Sequence, residues 1–113
     1  MNELARRECV PCRSAQAPLG SAELEPLHSL LDPDWQVVDE HHLWRTYRFK
    51  NFADALAFTN QVGALAEQVF HHPDIALSWG KVGIVIWTHK IKGLHEADFV
   101  FAAKCDQLYQ EQS

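Results

Sequence analysis

Histidine occurs seven times in this chain, and three of those residues fall within one short stretch. Residues 67–90 read EQVFHHPDIALSWGKVGIVIWTHK, with adjacent His71 and His72 before a proline and His89 closing an apolar run. Imidazole is the side chain whose unperturbed pKa lies near neutrality. Histidines held together can therefore share a proton and serve as acid and base. Whether these three meet depends on the elements that carry them.

The segment NFADALAFTNQVGALAEQVF predicts a long helix. Phe52, Leu56, Val62, Leu65, Ala66 and Val69 recur with a helical period, Asn51 is a good N-cap, and Asp54 complements the helix dipole. Pro73 disfavours helical backbone at His72, so the helix must stop near His71. IALSW and VGIVIWT follow as strands, with Ile75, Leu77 and Trp79, then Val82, Ile84 and Ile86, on the apolar face. Gly80 and Lys81 suit a two-residue hairpin turn. On that register Ile75 faces Ile86 and His72 faces His89, with Cβ atoms about 4.5–5.5 Å apart. His71 lies beside them, where the helix C-terminus favours an imidazolium.

Glu67, one turn earlier, is placed to pair with His71. Asp98 reaches the same corner if the last helix packs its first turn there. Trp79 is expected in the core, whereas Trp87, on the face opposite Ile86, could cover a planar ligand or simply pack. Adjacent histidines on extended backbone point to opposite faces, and no HxH or HExxH spacing occurs. The pattern therefore favours acid–base chemistry with no metal and no cofactor.

At 113 residues the chain suits one domain, and its 47% apolar and 22% charged content is ordinary for a globular protein. A formal charge of −5 argues against nonspecific nucleic-acid binding. Arg45, Arg48 and Lys50 are the nearest thing to a basic cluster, and they read as a solvated strand edge. No run approaches the roughly 20 apolar residues of a membrane helix, and MNELARRECVPC lacks the apolar core of a signal peptide. A cytoplasmic protein with no membrane or nucleic-acid partner is expected. Cys9 and Cys12 form a CVPC pair without the second half of a zinc site, so a reduced, solvated pair is expected. Cys105 reads as a small core residue.

Residues 1–20 lack periodicity and read as an N-terminal arm; residues 21–113 read as one domain. SAELEPLHSLL predicts a short helix capped by Ser21, with Leu24, Leu27, Leu30 and Leu31 on one face. WQVVDE and LWRTYRF predict two strands around a turn at His41 and His42, a second histidine pair that serves as an exposed, structural control. LHEADFVFAAKCDQLY predicts the last helix, with Glu96 and Asp98 in its first turn and Phe101, Ala102, Cys105, Leu108 and Tyr109 inward. The order is helix-strand-strand-helix-strand-strand-helix. It implies an α+β fold: a four-stranded antiparallel sheet with three helices packed on one face.

These residues resemble the pterin-4a-carbinolamine dehydratases. Glu67, His71, His72, Pro73, Trp79, His89 and Asp98 stand at the positions of that family's pattern, and WTHKIKGLHEADF is similar to its Thr-His segment, Gly-Leu pair and helix start. The resemblance runs from about Ser21 to Leu108. Lys92 stands where a glycine is common, and His95 where Ser or Thr often caps the helix. The resemblance implies the same fold. It also implies removal of water from 4a-hydroxytetrahydrobiopterin, giving quinonoid dihydropterin in tetrahydrobiopterin recycling. His71, His72 and His89 would be catalytic, and Glu67, Pro73, Trp87, Thr88, Lys90 and Asp98 would serve the pterin. A homodimer or homotetramer is implied, with an aromatic amino-acid hydroxylase as possible partner. The alternatives carried with it are an oligomeric coactivator-type binding protein and a role in molybdopterin metabolism.

Overall fold

Asn51 opens the long helix as its residue type requires, its side chain accepting from the Asp54 backbone N–H at 2.7 Å. The structure is a computed structural model and describes residues 3–8 and 17–112. Cys9 and Cys12 lie outside the described residues. The elements are α1 (Ser21–Ser29), β1 (Gln36–Val38), β2 (His42–Arg48), α2 (Phe52–Val69), β3 (Asp74–Ser78), β4 (Lys81–Ile86) and α3 (Glu96–Glu111). The strands form one antiparallel sheet in the order β1-β2-β4-β3. The α+β architecture is the expected one. Its consequence for function is that β2 lies against β4, with Leu43 opposite Ile86. The β1–β2 turn therefore stands at the end of the sheet where β4 finishes.

Alternation on the strands buries Leu43 and Tyr47 of β2 and Val82, Ile84 and Ile86 of β4 beneath the helices. Phe99, Val100 and Phe101 of α3 are fully buried there, as are Phe58 and Val62 of α2. Residues 1–20 are more than an arm where they are described. A single 3-10 turn, Leu4–Arg6, buries Leu4 and Ala5, and Lys104 Nζ donates to the Ala5 carbonyl at 2.9 Å. Gly20 rather than Ser21 takes the N-cap position of α1. Among the described residues no helix is long and apolar enough to cross a membrane.

Three expectations need correction. On α2 the buried stripe is Ala55, Phe58, Val62 and Ala66, while Phe52 and Leu56 are exposed. Phe58 draws that face inward because its ring packs against Tyr47, Phe49 and Tyr109. In the second hairpin Ser78 pairs with Lys81, Leu77 with Val82 and Ile75 with Ile84, so the turn is Trp79–Gly80, two residues from the expected pairing. A two-residue shift keeps the same faces inward. It carries Trp79 out of the core to 69% exposure. Gly80 is held at the turn by close approach: its carbonyl accepts from Phe49 N–H at 2.8 Å, and a Cβ there would sit 3.0 Å from the Phe49 oxygen.

The third correction concerns Arg45, which is 7% exposed rather than solvated. It occupies an inward position of β2 between Leu43 and Tyr47 and meets Asp106 of α3 at 2.8 Å. Asp106 also accepts from Trp35 Nε1 at 2.9 Å and from the Tyr47 hydroxyl at 2.5 Å. Burial pushes the Asp106 carboxyl above the usual range, against the pull of the Tyr47 hydrogen bond, the Arg45 charge and the Trp35 hydrogen bond. The Tyr47 hydroxyl is driven far up by burial and by Cys105 and Asp106, so it stays a donor. Removing the carboxylate leaves the buried guanidinium only its longer pairs to the more exposed Asp32 and Asp34, both at 3.6 Å, which costs about 3 kcal/mol. Asp106→Ala should therefore unfold at much lower urea concentration than the wild type, with an unchanged slope of stability against denaturant.

Candidate active site

The end of α2 decides where the histidines point. Phe70 adopts left-handed backbone, φ 56°, and the His71 N–H returns to the Ala66 carbonyl at 3.2 Å. That reversal closes the helix. It sends His71 inward, to 8% exposure, and leaves His72 outside. Pro73 then holds the chain extended into β3. His71 Nε2 meets Asp98 Oδ1 at 2.6 Å. Asp98 is 0% exposed, and its Oδ2 accepts from the Thr88 hydroxyl at 2.7 Å and from the His95 N–H at 2.8 Å. One carboxylate thus joins the end of α2, the chain leaving β4 and the first turn of α3. Its bond from the His95 N–H is one half of a capping box on α3, and the His95 side chain, accepting from the Asp98 N–H, gives the other half that Ser or Thr would give at position 95.

An ionised carboxylate only accepts hydrogen bonds, so Nε2 of His71 carries the hydrogen and Nδ1 is left free. His72 is exposed and pairs through Nε2 with Glu67 Oε2 at 2.5 Å. Glu67 therefore serves His72, not His71 as expected. The left-handed step at Phe70 has turned His71 away, and Asp98 has already taken its Nε2.

His89 arrives by a different route from the expected cross-strand opposition, which the observed register does not provide. Past β4 the chain makes a 3-10 turn, His89–Ile91, closed by a Thr88–Gly93 bridge. Within it the His89 ring lies 3.9 Å from the Trp87 ring, tilted by 31°. His41 lies 4.4 Å from the same indole and also bonds His42, Nδ1 to Nδ1, at 3.1 Å. The His41–His42 pair, expected at an exposed turn, is half-buried beside the site. It comes there because Asp39 and Glu40, both left-handed, make the β1–β2 turn, and β2 adjoins β4. One indole face holds one imidazole at these distances, so His41 and His89 cover opposite faces of Trp87.

His71, His72, Trp87, Thr88, His89 and Lys90 line one cavity of about 230 Å³. Glu67 stands behind His72 and Asp98 behind His71. Pro73 is off the cavity wall, and Trp79 is at the hairpin tip. Phe70 also lines the cavity, a residue that the sequence reading passed over. Its signal was an aromatic side chain at the helix-terminating position, where a glycine or asparagine is usual. A cavity of this size suits a single small ring system rather than a dinucleotide.

Residues 17–108 match the family model described as pterin 4 alpha carbinolamine dehydratase. The chain belongs to that family. A provisionally named pterin-4-alpha-carbinolamine dehydratase of Rubrobacter xylanophilus is 58% identical over 96% of this chain and 100% of its own length. One from Alkaliphilus metalliredigens is 52% identical over 98% of this chain and 100% of its own. Among solved structures, a transcriptional coactivator/pterin dehydratase from Brucella melitensis superposes with a TM-score of 0.75 at 31% identity, covering 80% of this chain and 96% of that one. A pterin dehydratase-like protein described as a RuBisCO assembly factor of the alpha-carboxysome gives 0.56 at 28% identity, covering 66% and 86%.

The loop carrying His89 also explains why glycine is common where this chain has Lys92. That residue is left-handed, φ 53°, which a residue with a Cβ adopts at a cost of about 1 kcal/mol. Lys92→Gly should raise stability by about that amount in a urea titration. Gly93→Ala should lower it, because the new Cβ would lie 2.6 Å from Pro18 Cβ.

Proposed function

We propose that this protein removes water from a 4a-hydroxytetrahydropterin to give the quinonoid dihydropterin. Loss of water requires a proton delivered to the departing 4a-hydroxyl and another taken from N5, as the C4a–O bond breaks and the C4a=N5 bond forms. One proton enters the substrate and one leaves it, so imidazoles that exchange a proton return to their starting state. His71, His72 and His89 supply the acid and the base. The observation that carries this reading is the His71–Asp98 pair. A fully buried carboxylate holds Nε2 of a histidine that lines the same cavity as two more imidazoles. Thr88 keeps Asp98 in place, and Glu67 orients His72. Trp87 and Lys90 border the substrate. Recycling of tetrahydrobiopterin for an aromatic amino-acid hydroxylase is the physiological setting that fits this chemistry.

A second reading is that the chain also docks a protein partner. It is favoured by the two structural relatives described as a coactivator and an assembly factor, and by Phe52 and Leu56, exposed on one face of α2. Such docking would be indifferent to the histidines.

The test is stopped-flow decay of the 4a-hydroxypterin released by an aromatic amino-acid hydroxylase, with and without EDTA-treated protein. Decay faster than the spontaneous rate is expected. His72→Ala and His89→Ala should each lose on the order of 100-fold or more of the enhancement while keeping the wild-type circular dichroism. Wild-type rates in both variants would overturn the assignment. Asp98→Asn should lose a comparable factor, because an amide can donate to His71 and favour the other tautomer.

A further inference from the structure

Phe70 has the least favourable surroundings of any aromatic side chain among the described residues. It is 76% exposed, it stands in left-handed backbone at φ 56°, and it belongs to the wall of the histidine cavity. The fold gains little from it. A glycine would close α2 without steric cost, and an exposed phenyl ring buries almost nothing. Strain of this kind persists where it serves a site.

The other rings of the cavity are already engaged. Trp87 carries His89 on one face and His41 on the other. His71 is bonded to Asp98 and its ring packs edge-on against Phe101 at 5.8 Å. His72 is tied to Glu67. A flat heterocycle needs a broad apolar face, and Phe70 is the one phenyl ring of the lining, exposed and in no ring contact among the described residues. We infer that Phe70 is the stacking platform for the substrate's ring system, holding its plane so that its edge meets the imidazoles. This assignment rests on the pterin reading above. It adds a substrate-binding residue contributed by the helix-terminating position and gives the strained backbone a purpose.

The experiment compares the full-length wild type with F70G, F70L and F70Y, using three readouts: binding of dihydrobiopterin by calorimetry, melting temperature, and mass by sedimentation. F70G should bind the pterin on the order of tenfold more weakly. It should also melt higher, by about 5 °C, because the left-handed strain is gone. F70Y should bind like the wild type and F70L like F70G, which separates ring stacking from plain apolar contact. In turnover, F70G should raise KM by a larger factor than it lowers kcat. Equal binding by wild type and F70G would overturn the platform and leave the dehydratase reading intact. A lower melting temperature in F70G would overturn it too, by showing that the ring packs for stability. A change in mass would do the same, by placing Phe70 under a second copy of the chain. Failure of the wild type both to bind dihydrobiopterin and to accelerate dehydration would remove the two readings together.

Discussion

A fully buried carboxylate is the constraint on which this site depends. Asp98 has no access to water, so its charge must be met by donors from the protein. It finds them on three separate segments: His71 after α2, Thr88 after β4, and the His95 backbone before α3. Losing any one would leave part of the charge unmet, so the carboxylate specifies how these three chain ends come together. The requirements of burial and of chemistry coincide at His71. The hydrogen bond that satisfies Asp98 also sets the imidazole's tautomer and frees its second nitrogen.

The same helix carries a second polar node at Asp106, two turns further along. There Arg45, Tyr47 and Trp35 converge from β2 and from the residue just before β1. The two nodes differ in what surrounds them. Asp106 is met by a guanidinium held between the sheet and α3, and its cluster ties the fold together. Asp98 is met by an imidazole that borders the cavity. One buried acid secures the sheet against α3, and the other holds a titratable group at the edge of a ligand-sized space.

Element type and order were legible in the sequence because apolar periodicity, Asn51 and Pro73 each act locally. The convergence of His71, His72 and His89 was legible too, though for a partly mistaken reason. The second hairpin turns at Trp79–Gly80, and the contact of the Gly80 carbonyl with Phe49 that holds it there is not local. His89 comes into place through a 3-10 turn whose left-handed Lys92 no apolar pattern announces. Arg45 looked like surface because its partner Asp106 lies far along the chain. His41 looked remote because two hairpins read from periodicity do not say that β2 lies beside β4. Phe70 was overlooked because a helix-ending phenylalanine has no distinguishing pattern until its backbone angle and exposure are seen.

Asp98 holds His71, a residue of the cavity wall, with hydrogen on Nε2 and Nδ1 left free. Nitrogen-15 spectroscopy of the histidine rings in the folded, ligand-free protein reads this directly, with the His71 resonances assigned by their loss in His71→Ala. Neutral His71 should be a single tautomer, with a proton coupled to Nε2, an unprotonated Nδ1, and a redistribution of tautomers in Asp98→Asn. A proton on Nδ1 of the neutral ring, or a tautomer mixture indifferent to Asp98, would contradict it.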